Sequence, residues 1–268
     1  MKRILFNFVS IRSHSVYTKP KRFYKEVSVA DEKDENGKLL YNVMLDKYKL
    51  KTQGGKFLKL ESEPLALAIA QEWDSQKEHI HQSRMLLTGL AFTSIDNPLR
   101  LTKESITSQI LEYLDTDSWL YFSTEPENLT KLQEKRWLPL IEWINQKHML
   151  NLKPSYSIVD TPEISEESRK SLQRFLLSYN FMALNGFQYG VEAAKSVLLM
   201  LATTAFRISV DEAAELARLE QIYQAKIYGN VEWYHDIEHE ALRSRIAASV
   251  LFVHLSSNLH TVQDLPRT

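Results

Sequence analysis

Residues 61–74 read Glu-Ser-Glu-Pro-Leu-Ala-Leu-Ala-Ile-Ala-Gln-Glu-Trp-Asp, and here the chain changes from a strand pattern to a helix pattern. Ser62 is a suitable N-cap for a helix that begins directly after it. Leu65, Ile69 and Trp73 then recur every four residues, which places them on one apolar helix face. We therefore expect Trp73 to pack in the protein core.

The residues before this point predict a small antiparallel β-rich part over 23–61. Strand-like segments at 23–30 and 39–45 flank a polar turn, and segments at 48–51 and 57–60 flank a glycine-containing turn. This is the pattern of two hairpins. Because a sheet of short strands cannot bury both faces alone, we expect it to lean on a neighbouring helix.

The residues after this point, 62–268, predict a larger multi-helical part, so that the fold class is α+β. Gly186 and Gly190 stand one helical turn apart, a spacing that allows another helix to pack closely. The polar, proline-containing segment 153–165 predicts a crossover loop. The later helices are expected at about residues 85–95, 102–114, 129–149, 166–178, 181–206, 209–227 and 234–256.

Composition excludes several kinds of site. The 268 residues are 44% hydrophobic and 25% charged, which is typical of globular proteins. There is no cysteine, which excludes disulfides, thiolate metal ligands and cysteine nucleophiles. The seven glycines form none of the glycine-rich loops that bind phosphate. We expect no cofactor and no nucleotide bound through such a loop.

The first residues differ in charge from the rest of the chain. Residues 1–25 contain seven Lys or Arg and no acid, a pattern typical of a mitochondrial transit peptide, here residues 1–22. A basic arm without a targeting role is the alternative. The remaining chain is acidic, which fits nucleic acid poorly. No later apolar run approaches the ~18 residues of a membrane span, so we expect no membrane insertion.

One cluster of residues formally fits a metal-dependent hydrolase. His235, Glu238 and His239 match H-x-x-E-H, in which two imidazoles lie one helical turn apart beside a glutamate that can act as a base. A catalytic zinc site needs a third protein ligand, and after His239 only Glu240 and Asp264 offer a carboxylate for it. No Ser–His–Asp pattern is present either. We therefore predict no catalytic residues and no metal ligands, and keep the hydrolase as an alternative.

An acidic block covers residues 211–240, with eight acids against Arg218 and Lys226. Such an excess either keeps a helix soluble or forms a docking surface for a basic partner. Glu220 and Gln224 lie one turn apart, and so on one helix face. If they are exposed, they can recognise a partner; if they are buried, they need hydrogen-bond partners.

Two stretches together resemble a known family. The first contains Glu72-Trp73-Asp74, and the second, residues 217–236, reads Ala-Arg-Leu-Glu-Gln-Ile-Tyr-Gln-Ala-Lys-Ile-Tyr-Gly-Asn-Val-Glu-Trp-Tyr-His-Asp. In this order they resemble the mitochondrial ATP synthase F(1) complex assembly factors, the chaperones of the alpha subunit. The similarity extends from about residue 22 to about residue 240. Tyr228 departs from the family, which usually has tryptophan there.

The resemblance implies a matrix chaperone, not an enzyme, that is a monomer when free. It would bind the unassembled alpha subunit of the F(1) head and prevent its aggregation until the beta subunit replaces it. The implied structural motif is Glu72, Trp73 and Asp74. A matrix scaffold protein of general specificity is the other alternative. The implied partner-binding residues are Glu220, Gln224, Tyr228, Glu232 and Asp236.

Overall fold

The computed structural model describes residues 19–157, 160–229 and 233–257. Its strands are β1 (Val27–Lys33), β2 (Leu39–Leu45), β3 (Tyr48–Lys49) and β4 (Lys59–Leu60). They form one antiparallel sheet in which β2 pairs with each of the other three.

The first strand begins later than the predicted segment 23–30. Lys25 and Glu26 stay outside the β1–β2 ladder because their backbone N–H groups donate to the carboxylate of Asp46, at 2.9 and 2.8 Å. These bonds hold the two residues in the approach to the sheet. The strand prediction was therefore wrong by four residues at its start.

Ten helices follow the sheet within the described residues, which confirms the α+β prediction. Side chains of Ser62, Thr102, Ser165 and Asn180 each accept an N–H at the start of a helix, as N-caps do. The helices are α1 (Glu63–Asp74), α2 (Leu86–Asp96), α3 (Lys103–Leu114), α4 (Glu127–His148), α5 (Glu166–Ser178), α6 (Phe181–Ala194), α7 (Val197–Thr204), α8 (Val210–Ala217), α9 (Leu219–Tyr228) and α10 (Tyr234–Ser256).

The sheet shares a hydrophobic core with α1 and α2. Val43 of β2 and Ile69 of α1 are fully buried there, and Trp73 is 8% exposed. Ala248 and Phe252 of α10 belong to the same core. The sheet therefore leans on α1, as expected for a sheet of short strands, and α10 connects the sheet core to the helical part.

The larger core lies among the remaining helices, with α6 and α7 at its centre. All eight residues of α7 are buried. A β-carbon added to Gly186 would lie 2.8 Å from Cδ1 of Phe252, and one added to Gly190 would overlap Ser249 and Met200. The two glycines therefore permit α10 to pack against α6 as closely as it does, which confirms the close packing expected from their spacing.

The prediction of one helix over 181–206 was wrong, because the chain forms α6 and α7 instead. Lys195 adopts the left-handed conformation, with φ of 58°, and ends α6. Ser196 then accepts the N–H of Leu199 at 2.9 Å, and buried Asp117 accepts that of Leu198 at 3.0 Å. These two acceptors start a new helix at a point where the apolar sequence runs on without interruption.

The prediction of one helix over 209–227 was also wrong. Ser209 caps α8 as expected, since its Oγ accepts the N–H of Glu212 at 3.1 Å. The helix stops at Arg218, whose φ and ψ of −115° and 19° are not helical. α9 begins directly afterwards. Arg218 is buried, and its guanidinium lies 3.5 Å from the carboxylate of Glu238 on α10, so contact with a distant helix accompanies the break.

Residues 20–22 are bound to the folded body. Ile80 N–H donates to Pro20 O at 2.8 Å, and Arg22 N–H donates to Glu78 O at 2.9 Å. Of the expected transit peptide, 1–22, residues 1–18 lie outside the described part. Within the described part, no helix has the length and hydropathy needed to cross a bilayer.

Candidate functional site

α9 and the first half of α10 are largely exposed. Leu219 is the one buried residue of α9, and Ile246 is the first along α10 among the side chains described. We call residues 219–229 and 233–245 the α9–α10 arm. Because each helix has one end in the core, the arm is anchored at its base while most of its surface remains accessible to solvent.

The arm exposes large apolar side chains at the end of α9 and the start of α10. Ile227, Tyr228, Trp233 and Ile237 are 55%, 85%, 77% and 65% exposed. Trp233 also has a φ of 68°, which is unusual for a bulky residue and typical of functional segments. Groups of exposed apolar residues mark interaction sites, so this end of the arm is the strongest candidate for binding another protein.

A cleft of about 620 Å³ lies between the two helices of the arm. Its lining combines charged groups with a few apolar ones, which suits a protein side chain or loop better than a buried apolar ligand. The lining residues are Arg218, Gln221, Ile222, Ala225, Lys226, Asp236, His239 and Glu240.

Glu220 lies at the base of the arm and connects it to α4. Its carboxylate accepts a hydrogen bond of 2.7 Å from Nε2 of Gln133, a fully buried residue. Gln133 Oε1 in turn accepts the N–H of Ser123 at 2.8 Å. Burial raises the pKa of Glu220, and the bond from Gln133 offsets part of that rise. Glu220 is therefore half-buried and hydrogen-bonded to Gln133, an arrangement suited to holding the base of the arm against α4.

The other predicted partner-binding residues are more accessible. Gln224 and Asp236 are exposed, as is Tyr228 near the end of α9. Gln224 and Tyr228 lie one and two turns beyond Glu220 on the same face of α9, while Asp236 lines the cleft from α10. Glu232 lies outside the described residues. The structure thus places the described members of the set on the arm, at its base, its middle and its outer end.

Sequence reasoning missed Ile227, Trp233 and Ile237 as candidate binding residues. Their types alone predict burial. One sequence signal could have identified them: the three residues do not fall on one face of a single amphipathic helix. Ile227 precedes the glycine that ends α9, while Trp233 precedes α10, so that no single amphipathic helix accounts for all three.

The described part of the arm shows no metal site. Glu238 pairs with Arg218, at 3.5 Å, which engages the carboxylate proposed as a base. The His235 side chain lies outside the description, while His239 lines the cleft. Across the described residues, no group of three or more His, Asp or Glu is placed to hold a metal ion.

The residues of the motif at 72–74 make contacts within the fold, which favours the structural role expected for them. Glu72 accepts the N–H groups of Leu87 and Thr88, both at 2.8 Å, and the hydroxyl of Thr88 at 2.7 Å, so that it caps the start of α2. Burial raises the pKa of Glu72, against these hydrogen bonds. Asp74 pairs with Arg22 at 3.3 Å. The capping role of Glu72 could not be predicted because α2 begins 14 residues later.

A small antiparallel sheet is joined to a multi-helical part whose α9–α10 arm is anchored at its base and largely exposed, a surface of the kind with which proteins bind one another. The family model described as ATP12 chaperone protein matches residues 21–145. Protein atp12, mitochondrial, from Schizosaccharomyces pombe is 30% identical over 269 residues, covering 95% of this chain and 90% of that protein. Protein ATP12, mitochondrial, from Saccharomyces cerevisiae is 24% identical, covering 86% and 82%.

A solved structure is similar over the same extent. The crystal structure of Atp12 from Paracoccus denitrificans superposes with a TM-score of 0.77 at 28% identity, covering 88% of this chain and 98% of that one. The chain belongs to the ATP12 chaperone family. It is an assembly chaperone and not an enzyme, which confirms the resemblance drawn from the two sequence stretches and removes the hydrolase alternative.

Proposed function

We propose that this chaperone binds the unassembled alpha subunit of the mitochondrial ATP synthase F(1) head through the α9–α10 arm. In this proposal it acts in the matrix and prevents aggregation of the subunit until the beta subunit replaces it. The observation that carries the proposal is the exposed apolar end of the arm, with Tyr228, Trp233 and Ile237. A free subunit interface is itself apolar, and exposed apolar surfaces aggregate.

The acidic block 211–240, which overlaps the arm and carries eight acids against Arg218 and Lys226, supports a partner with a basic surface. Asp236 and Glu240 line the cleft, and Arg243, near the base of the arm, is already paired with Asp211, at 2.5 Å, and Glu240, at 3.0 Å. Charge complementarity speeds association and fixes orientation more than it adds affinity. The apolar residues would then supply most of the binding energy, and the acids would select the partner.

A light-scattering assay with purified alpha subunit tests the proposal. The chain should suppress aggregation of the subunit, and the double change Gln224→Lys with Asp236→Lys should weaken suppression roughly tenfold or more, since charge complementarity is reversed. Glu142→Lys on α4 is the matched control, because Glu142 is also exposed on a helix. It should behave like the unchanged chain.

Two results would count against the proposal. If the unchanged chain leaves aggregation of the alpha subunit unaffected, the assignment of the client is wrong. If it suppresses aggregation of many unrelated proteins equally well, the alternative of a general matrix scaffold is favoured. Equal losses in the arm variant and in the control would place the binding surface elsewhere.

A further inference from the structure

Two grooves meet on the sheet side of the molecule, far along the chain from the arm. One, of about 230 Å³, is bordered by α1 and α2, and the other, of about 640 Å³, runs beside β3. Phe23 and Trp73 line both grooves. They therefore form one continuous depression with Phe23 between its two halves.

Three aromatic rings stand exposed around this depression. Phe23, Tyr48 and Phe57 are 72%, 79% and 46% exposed, and all three line the larger groove. We call these three residues the aromatic patch. Aromatic side chains supply large contact areas at low entropic cost, and they are enriched where proteins bind one another.

Trp73 leaves a polar group unused below the patch. Its side chain is buried, and its indole N–H has no acceptor among the described residues. Buried tryptophan N–H groups usually find a partner, and a buried donor without one costs about 1–3 kcal/mol. Trp73 lines both grooves, but its indole nitrogen is enclosed by the protein, so an occupant would contact the indole ring and not the N–H.

The charge around the patch is positive. Lys51 Nζ lies 4.7 Å from the ring centre of Phe57, and neither Lys51 nor exposed Lys47 forms an ion pair within the described part. Asp46 also lines the groove, but its carboxylate is engaged by two backbone N–H groups. Residues 19–60 contain eleven Lys or Arg against six Asp or Glu. An occupant that carries acidic groups fits this surface.

We propose that the aromatic patch is a second docking surface, which takes an extended, acidic and apolar segment of the unassembled client. Alternate side chains of an extended segment point to opposite sides. Its apolar side chains would lie in the two grooves while its carboxylates face Lys47 and Lys51. The proposal rests on the proposed function only for the identity of the client. In charge, the patch is opposite to the acidic block 211–240, so the two surfaces would select different parts of one partner.

The test uses a probe that does not depend on the client. Fluorescence anisotropy would follow a short, blocked peptide in which leucine alternates with glutamate, and a second in which lysine replaces glutamate. The full chain should bind the glutamate peptide and bind the lysine peptide at least about tenfold more weakly. Phe23→Ser with Tyr48→Ser should abolish binding. Met149→Asn is the control, since Met149 is 81% exposed and left-handed in conformation, which asparagine tolerates.

Several results would overturn this inference. It is wrong if neither peptide binds, if both bind equally, or if the serine variant binds like the control. It is also wrong if the full chain self-associates in sedimentation and the serine variant alone does not, because a second copy would then occupy the patch. Failure of the proposed function can be distinguished from failure of this inference. It would appear in the light-scattering assay as alpha-subunit aggregation that the chain does not suppress, independently of the peptide results.

Discussion

At the scale of single residues, Glu220 is best understood as the residue that fixes the base of the arm. Its carboxylate is held by Gln133, which is itself fixed by a backbone N–H. A hydrogen bond to a charged group typically contributes about 1.5–3 kcal/mol, and partial exposure of Glu220 lowers this. Glu220 would then affect client binding by holding α9 in place.

A double-mutant cycle tests this role. Glu220→Ala and Gln133→Ala should each destabilise the chain, and the double variant should be about 1 kcal/mol more stable than additivity predicts. Urea unfolding measures each free energy. Gln224→Ala, one turn away and exposed, should change stability by less than about 0.5 kcal/mol. Additive effects of the two changes would mean that the bond contributes nothing.

Trp73 should be essential for stability. Trp73→Arg places a charge in the core shared by the sheet and α1, where Tyr24 OH donates to Trp73 O at 2.7 Å and the two rings lie 5.7 Å apart. We expect a loss of about 3–5 kcal/mol and accumulation of insoluble protein. Trp73→Phe, which keeps an apolar ring, should cost less. A soluble Trp73→Arg variant with an unchanged melting temperature would contradict this account.

Asp117 makes stability depend on pH. Burial raises its pKa from 3.8 to about 6, against hydrogen bonds from Ser196 and from the backbone near the start of α7. The folded state holds the Asp117 proton more tightly than the unfolded chain does. The contribution of this proton to the free energy of unfolding, on the order of 2–3 kcal/mol, is therefore fully present below about pH 4 and is lost as the pH rises through about 6.

Asp117→Asn should flatten that dependence. Urea unfolding between pH 4 and 7 would show a shallower fall with rising pH than in the unchanged chain. The variant should also be less stable overall, because an amide cannot accept N–H groups with both of its polar atoms. An unchanged slope would show that Asp117 is not the group that titrates.

At the scale of secondary-structure elements, the segment just before the sheet belongs to the fold. Arg22 donates to Asp74 O at 2.9 Å and to Lys25 O at 3.0 Å, and it pairs with the Asp74 side chain. We therefore propose that import removes residues only up to about 18.

Two shortened chains test this boundary. A chain that begins at Lys19 should melt at the temperature of the full chain. One that begins at Phe23 should melt several degrees lower, since each kcal/mol corresponds to about 2–4 °C at this size. Equal melting of both shortened chains would show that the contacts of residues 20–22 are dispensable. A lower melting temperature for the chain beginning at Lys19 would give residues 1–18 a structural role.

Local patterns predicted most elements and failed where a distant residue intervenes. The order of sheet and helices, the helix that ends at Trp73 and Asp74, and the bounds 234–256 of the last helix all follow from periodicity and caps. The break between α6 and α7 does not, because buried Asp117 helps to create it from 81 residues away. The break at Arg218 has no glycine or proline to signal it.

The sequence indicated which segment holds the candidate site, but not which side chains form its exposed surface. Charge and family resemblance pointed to residues 220–236, where the arm lies. The exposure of Trp233 and Ile237 could not be predicted, since such residues are usually buried. The hydrogen bond from Gln133 to Glu220 could not be predicted either, because the two residues are 87 positions apart in the sequence.

At the scale of the whole molecule, α10 connects the two hydrophobic cores to the exposed arm. Its second half packs on α6 through Gly186 and Gly190 and reaches the sheet core with Phe252. Its first half forms the exposed arm. Binding at the arm would therefore act on a helix whose second half is fixed in both hydrophobic cores, so that the base of the docking surface is in place before the client arrives.

The most direct measurement of the central claim is hydrogen exchange of the chain with and without the alpha subunit. In the free chain, the amides of residues 219–229 and 233–245 should exchange faster than those of buried α7, because few tertiary contacts oppose local opening of the arm. Addition of alpha subunit should slow exchange across the arm, and later addition of beta subunit should restore the fast rate. Exchange in the arm that is unchanged by alpha subunit, while the subunit is bound, would contradict the account.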